Sequence, residues 1–278
     1  MNTAADTSLC ARGNVLFRRE LLPSPRDSVC RRVRSHPSSR DKHPVSPTFP
    51  ATVPSFSEKN LTNHTLHSHF SPPRMSRYLE TFLVAHRRLV RESEHRLRLA
   101  RTLRCAPDSP AVSRLLALAA REALGAPDVP RLRGRLVYDL HGKADFSLLP
   151  YAPRRIETLR LVHDDHIDYA LKRTDRSALD ACFARRDGAD DVLIVRRGLL
   201  TDTTVANLAL FDPHIARWYT PAVPLLTGTH RSALLSAGVL TPHPALTPES
   251  LVRFTRLRLF NALLGWGECE LPIEAVLR

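Results

Sequence analysis

Tyr169-Ala170-Leu171-Lys172-Arg173-Thr174-Asp175-Arg176 holds one of only two lysines between residues 75 and 278. The chain has 37 arginines against 4 lysines, so arginine supplies nearly every cation. An amine can lose its proton and form a Schiff base, and a guanidinium cannot. Lys172 is therefore a candidate nucleophile, although composition alone reads it as a solvated charge. Lys143, in the turn His141-Gly142-Lys143, has only that second reading. The segments downstream of Lys172 set it apart: Asp190–Gly198, then Thr201-Asp202-Thr203-Thr204-Val205-Ala206-Asn207, Trp218-Tyr219-Thr220-Pro221 and Gly228-Thr229-His230-Arg231.

Working outward, Tyr78–Val84 reads as a strand and Ser93–Arg104 as an arginine-rich helix. Ser109-Pro110 gives an N-cap with proline at the first helical position, and apolar residues keep helical spacing from Val112 to Leu124 before Gly125. Leu132–Leu140 and Ala144–Leu149 read as a hairpin, with a third strand at Ile156–Val162. A helix is expected at Ser177–Arg186, then strands at Asp191–Val195, Val205–Phe211 and Arg217–Thr220. Thr229–Ala237 reads as a helix ended by Gly238, and Thr247-Pro248-Glu249 as a further helix start. Arg253–Leu263 fits either period. Strands outnumber helices and the connections are mostly short, which favours antiparallel pairing and an α+β class.

The 278 residues can bury a sizeable core, and 43% apolar with 25% charged content is that of a globular chain. No run of 18 apolar residues occurs, so no transmembrane helix and no membrane partner are expected. Cysteines 10, 30, 105, 182 and 269 are scattered and odd in number, which argues against a disulfide framework or a zinc site and for a cytoplasmic compartment. The net charge of +13 is spread evenly, and the cluster Arg31-Arg32-Val33-Arg34 lacks interleaved aromatics. Nucleic-acid binding is thus the minority reading. Residues 1–74, with 9 Pro and 11 Ser, read as a disordered extension or a mis-called start ahead of Met75.

The order of motifs from Lys172 to Arg231 resembles class IV aminotransferases, the fold-type-IV pyridoxal-phosphate (PLP) enzymes, across roughly residues 77–265. These include branched-chain aminotransferases and 4-amino-4-deoxychorismate lyases. The resemblance implies a fold with a small N-terminal α+β domain (75–163) and a larger, β-rich C-terminal PLP-binding domain (164–278). It implies that Lys172 forms the Schiff base with PLP and moves the proton at Cα. Asp202, in place of the commoner Glu, would pair with the pyridine nitrogen, with Asn207 completing its strand motif. Gly228, Thr229 and His230 would form the phosphate cup at a helix start, His230 standing where the family has a second Thr. His95-Arg96-Leu97-Arg98-Leu99 resembles the H-x-x-R-L helix and nominates Arg98 as a further phosphate ligand. The implied partners are an amino acid or aminodeoxychorismate, and a second copy in a homodimer. The implied reaction is transamination, with pyruvate elimination as the alternative and a non-catalytic basic nucleic-acid-binding protein of the same fold as the contrasting class.

Overall fold

The structure is a computed structural model whose description covers residues 77–278; the extension expected over 1–74 lies outside the described residues. Strand β1 (Tyr78–Ala85) alternates strictly between buried and half-buried positions, the signature of a strand with one face on a core. Its buried row is Tyr78, Glu80, Phe82 and Val84, an apolar series interrupted by one carboxylate. His86 (φ 49°) and Arg87 (φ 63°) turn the chain into β2 (Arg88–Leu89), with Ala85 opposite Arg88. Both turn residues are left-handed, as a two-residue primed hairpin requires, and neither is the glycine that conformation favours. The turn is held from outside by His86 N–H on the Val129 carbonyl (2.9 Å) and His86 Nδ1 on Asp128 (2.9 Å).

Helix α1 (Glu92–Leu103) carries Glu92 and Glu94 in its first turn, favourable against the helix dipole. Helix α2 (Pro110–Leu124) begins where the sequence places it: Ser109 Oγ accepts from Val112 N–H, and Pro110 sits at N1. Its buried face is Val112, Leu115, Leu116, Ala119 and Ala123. Both helices pack on a sheet of order β2-β1-β3-β4, in which β3 (Leu132–Tyr138) and β4 (Ala144–Pro150) form the expected hairpin.

β5 (Leu159–His163) starts three residues later than Ile156–Val162 predicts, because Glu157 and Thr158 N–H groups both go to Asp190 Oδ2 instead of a ladder. It pairs in parallel with β6 (Asp191–Arg196) across a connection that includes α3 (Ser177–Ala184). A parallel pair needs such a long crossover. The expectation of antiparallel pairing is thus corrected here, and also at β13 (Val276–Leu277), which lies parallel to β5. β7 (Leu199–Leu200) returns on β6, completing the order β13-β5-β6-β7.

The third sheet runs β10-β9-β8-β11-β12, from β8 (Asn207–Asp212), β9 (Arg217–Pro221), β10 (Thr241–His243), β11 (Arg256–Phe260) and β12 (Cys269–Pro272). The ambiguous run Arg253–Leu263 is therefore strand at its centre. Thr247-Pro248-Glu249 opens a 3₁₀ turn over Glu249–Arg253, shorter than the helix expected. Helix α4 (Thr229–Ser236) packs Leu234 against Ala209 and Phe260. The largest core joins these last two sheets through Leu159, Leu193, Leu208, Leu210, Leu257 and Leu259. The architecture is α+β, and among the described residues no helix is long and apolar enough to cross a membrane.

Candidate active site

Lys172 lies in an irregular segment tied to the start of β1. Leu79 N–H donates to the Lys172 carbonyl (2.8 Å), Thr174 N–H donates to the Arg77 carbonyl (2.9 Å), and Tyr78 bridges Arg173. Tyr169 Oη donates to the Arg173 carbonyl (2.8 Å), which closes the segment on itself. The backbone of Lys172 is thereby fixed, and the residue lines a cavity. Burial, with the Arg98 cation as the next contributor, lowers its amine to about 7. Lys143 is exposed in the β3–β4 turn.

Arg98 borders the same cavity from α1. Its Nε and Nη2 donate to Glu80 Oε1 (2.8 Å) and Oε2 (2.6 Å), a bidentate pair buried on both sides. His95, one turn earlier on α1, meets Glu80 Oε2 through Nδ1 (2.6 Å) and packs its ring on Phe82. Glu80 is held down at about 2: burial pushes its carboxyl up, and the Arg98 charge with the His95 and Arg98 hydrogen bonds outweighs it. Arg98 spends Nε and Nη2 on Glu80, and among the described residues its Nη1 has no hydrogen-bond partner.

Asp202 enters from the turn between β7 and β8. That turn is built by its threonines: Thr201 N–H donates to the Ile194 carbonyl, Thr203 Oγ1 accepts from Ala206 N–H (3.0 Å), and Thr204 Oγ1 donates to buried Asp191 (2.7 Å). The Asp202 carboxylate accepts from Leu226 N–H (2.8 Å) and Asn207 Nδ2 (2.8 Å), while Asn207 Nδ2 also reaches the Leu226 carbonyl (3.0 Å). Burial still raises Asp202 to about 6, against the lowering effect of those bonds.

Gly228 is the N-cap of α4 and touches Asn207 so closely that a Cβ there would lie 1.9 Å from Asn207 Oδ1. No residue with a side chain fits without displacing Asn207. Thr229, the first residue of the helix, borders the cavity, and its Oγ1 is buried with no hydrogen-bond partner. A hydroxyl so placed awaits an acceptor.

The structure thus gathers Lys172, Arg98, Asp202, Asn207, Gly228 and Thr229 around one cavity. It does not bring in the His230 side chain. That imidazole is buried and points away, its Nδ1 lying 2.9 Å from the Asn261 carbonyl and 3.2 Å from the Leu264 carbonyl.

Sequence reasoning passed over several residues of the site. Glu80 carried a legible signal, a carboxylate in the buried row of an alternating strand. Thr81, Tyr169 and Arg176 also border the cavity; they lie in quoted motifs but were given no role there, and no local pattern marks the loop Asn261–Leu263. A second, more open chamber holding Arg133, Arg135, Tyr151 and Arg154 shares Thr81, Val205, Asn261 and Leu263 with the first.

Residues 78–270 match the family described as amino-transferase class IV. The chain belongs to that family and is an enzyme of the class IV aminotransferase type. An uncharacterized protein of Haemophilus influenzae is 32% identical over 134 residues, covering 48% of this chain and 69% of its own. A crystal structure from Haemophilus somnus, put forward as a 4-amino-4-deoxychorismate lyase, superimposes with a TM-score of 0.61 at 28% identity, over 69% of this chain and 98% of that one. The PLP-bound form of a hypothetical Mycobacterium tuberculosis aminotransferase gives 0.55 at 17% identity, over 73% and 82%. At that identity the likeness speaks for the fold alone.

Proposed function

We propose that this cavity binds PLP and that the enzyme acts on the Cα of a small amino substrate. One observation carries the reading. A lysine amine lowered to about 7, a buried carboxylate and an unpartnered hydroxyl at a helix start border one cavity. That donor set suits PLP, whose aldehyde, ring nitrogen and phosphate each need a different partner. When bound, PLP supplies an aldehyde that takes up amines and a protonated ring that draws electrons from Cα.

The residues divide the work accordingly. Lys172, its amine lowered to about 7, can offer a lone pair to hold the aldehyde carbon and then to carry the proton at Cα. Asp202 keeps the ring nitrogen protonated, its carboxylate held in place by Leu226 N–H and Asn207 Nδ2. Thr229 Oγ1, the first N–H groups of α4 and Arg98 Nη1 bind the phosphate. Glu80 orients Arg98 for that contact. The family resemblance also supports a homodimer working in the cytoplasm.

Removal of pyruvate from aminodeoxychorismate is the second reading, favoured by the likeness to the Haemophilus somnus protein. The test is a visible titration of purified protein with PLP, followed by two assays. In one, amino donors are paired with an oxo acid and a new amino acid is sought. In the other, aminodeoxychorismate is supplied and pyruvate release is measured. A protein that takes up no PLP sinks the proposal. Pyruvate without amino-group exchange selects elimination.

A further inference from the structure

His230 is a motif residue that the cofactor site leaves unused. It stands where the resemblance places a threonine hydroxyl, yet it is more than nine-tenths buried with its ring turned toward the loop after β11. Both groups it meets are carbonyls, which only accept, so Nδ1 carries the proton and donates to the Asn261 and Leu264 oxygens together. The ring also packs edge-on against Phe260, at 5.7 Å between centroids.

The loop so gripped is a wall of the site. Asn261 and Leu263 border both the Lys172 cavity and the adjoining arginine-lined chamber. Asn261 Oδ1 accepts from Leu263 and Leu264 N–H (2.8 Å each), and its Nδ2 donates to the Val205 carbonyl (3.0 Å). Arg91 Nη2 donates to the Ala262 carbonyl of the same loop. Asn261 shapes the loop internally; His230 and Arg91 fasten it to α4 and α1.

We propose that His230 is a positioning residue for the substrate, clamping the wall Asn261–Leu264 onto the helix start that receives the phosphate. The first turn of α4 then serves two neighbours: its N–H groups and Thr229 face the cavity, and His230 holds the surface against which the non-cofactor part of the substrate lies. The missing threonine hydroxyl is covered by Thr229, one residue earlier. The substrate-positioning role rests on the PLP reading, whereas the clamp itself is tested without it.

Three variants separate the roles. His230→Phe keeps the ring packing and removes the donor, His230→Gln restores an N–H, and His230→Thr installs the family residue. Two probes are titrated on each protein: pyridoxamine phosphate, which needs only the cofactor seat, and N-phosphopyridoxyl-alanine, which also presses on the wall. His230→Phe should bind pyridoxamine phosphate within about twofold of the parent and the alanine conjugate about tenfold more weakly, the loss of one to two net hydrogen bonds. His230→Gln should recover most of that loss, and His230→Thr should not. Equal losses on both probes, or no loss on either, overturn the proposal. Hydrogen exchange needs no cofactor: amides 263–265 should exchange at least tenfold faster in His230→Phe, with 231–236 unchanged. Unchanged exchange at 263–265 also overturns it, as does a loss of protection spread over the whole of α4. A parent that binds neither probe but shows the exchange pattern sinks the PLP reading and leaves the clamp standing.

Discussion

Replacing Glu80 with glutamine should unbalance the most deeply buried charge cluster of the site. The substitution keeps the shape, but the amide offers one acceptor where Arg98 and His95 now use both oxygens. Its N–H₂ group must face a donor on one of them. Removing one member of a buried ion pair costs about 3–5 kcal/mol, because the remaining charge stays out of water. The carboxyl itself gives a second measure: lowered from 4.5 to about 2, it contributes about 3 kcal/mol at roughly 1.4 kcal/mol per unit.

The sign comes from the depressed value. This stability is fully present above pH 4.5 and is lost as pH falls toward 2. For a folded region of this size, each kcal/mol moves the melting point by about 2–4 °C, so Glu80→Gln should melt roughly 6–20 °C lower near pH 7. Thermal scans from pH 7 to pH 3 are the assay. The difference between parent and variant should shrink below pH 4.5, since the parent then begins to lose what the variant never had. A variant that melts within about 2 °C of the parent at pH 7 refutes the reasoning, as does a gap that stays constant down to pH 3.

Three further outcomes are expected from the same geometry. Asp202→Asn should retain PLP at Lys172 but exchange the substrate α-proton roughly 10²–10³-fold more slowly, the typical cost of losing one electrostatic partner of the transition state; exchange at the parent rate removes Asp202 as the ring partner. Thr229→Val should weaken PLP roughly ten- to a hundredfold, as expected for a lost hydrogen bond to a charged group, while pyridoxal, which has no phosphate, binds as before. Equal weakening of both ligands contradicts the assigned role. The rate of PLP capture should climb between about pH 6 and pH 8 and then level off, as for an amine that titrates near 7. A rate still rising at pH 10 belongs to an ordinary lysine.

Much of this site was legible because its parts are local. Lys172, Asp202, Asn207 and Gly228 all border one cavity, since short turns carry each of them there. Helix α2 was legible for the same reason: Ser109, Pro110 and a run of apolar residues at helical spacing all act within a few positions. The Glu80–His95–Arg98 cluster was not, because it joins a strand to a helix 15 and 18 residues away. The H-x-x-R-L resemblance nominates Arg98 among the arginines of that helix, but nothing in it names Glu80 as the partner. His230 misled for another reason. It lies in the first turn of α4 as expected, but side-chain direction there depends on the loop after β11, which reads equally well as strand or helix. The parallel pairing of β5 with β6 was hidden by a connection whose only helix, α3, is eight residues long.

The central claim is that Lys172, and no other amine of the chain, holds the cofactor. The direct measurement is incubation with PLP, borohydride reduction, proteolysis and mass mapping of the phosphopyridoxyl label. The label should fall on the peptide containing Lys172 and be absent from Lys172→Ala, with Lys143 unmodified at stoichiometric PLP. A label on Lys143, or undiminished labelling of Lys172→Ala, would contradict it.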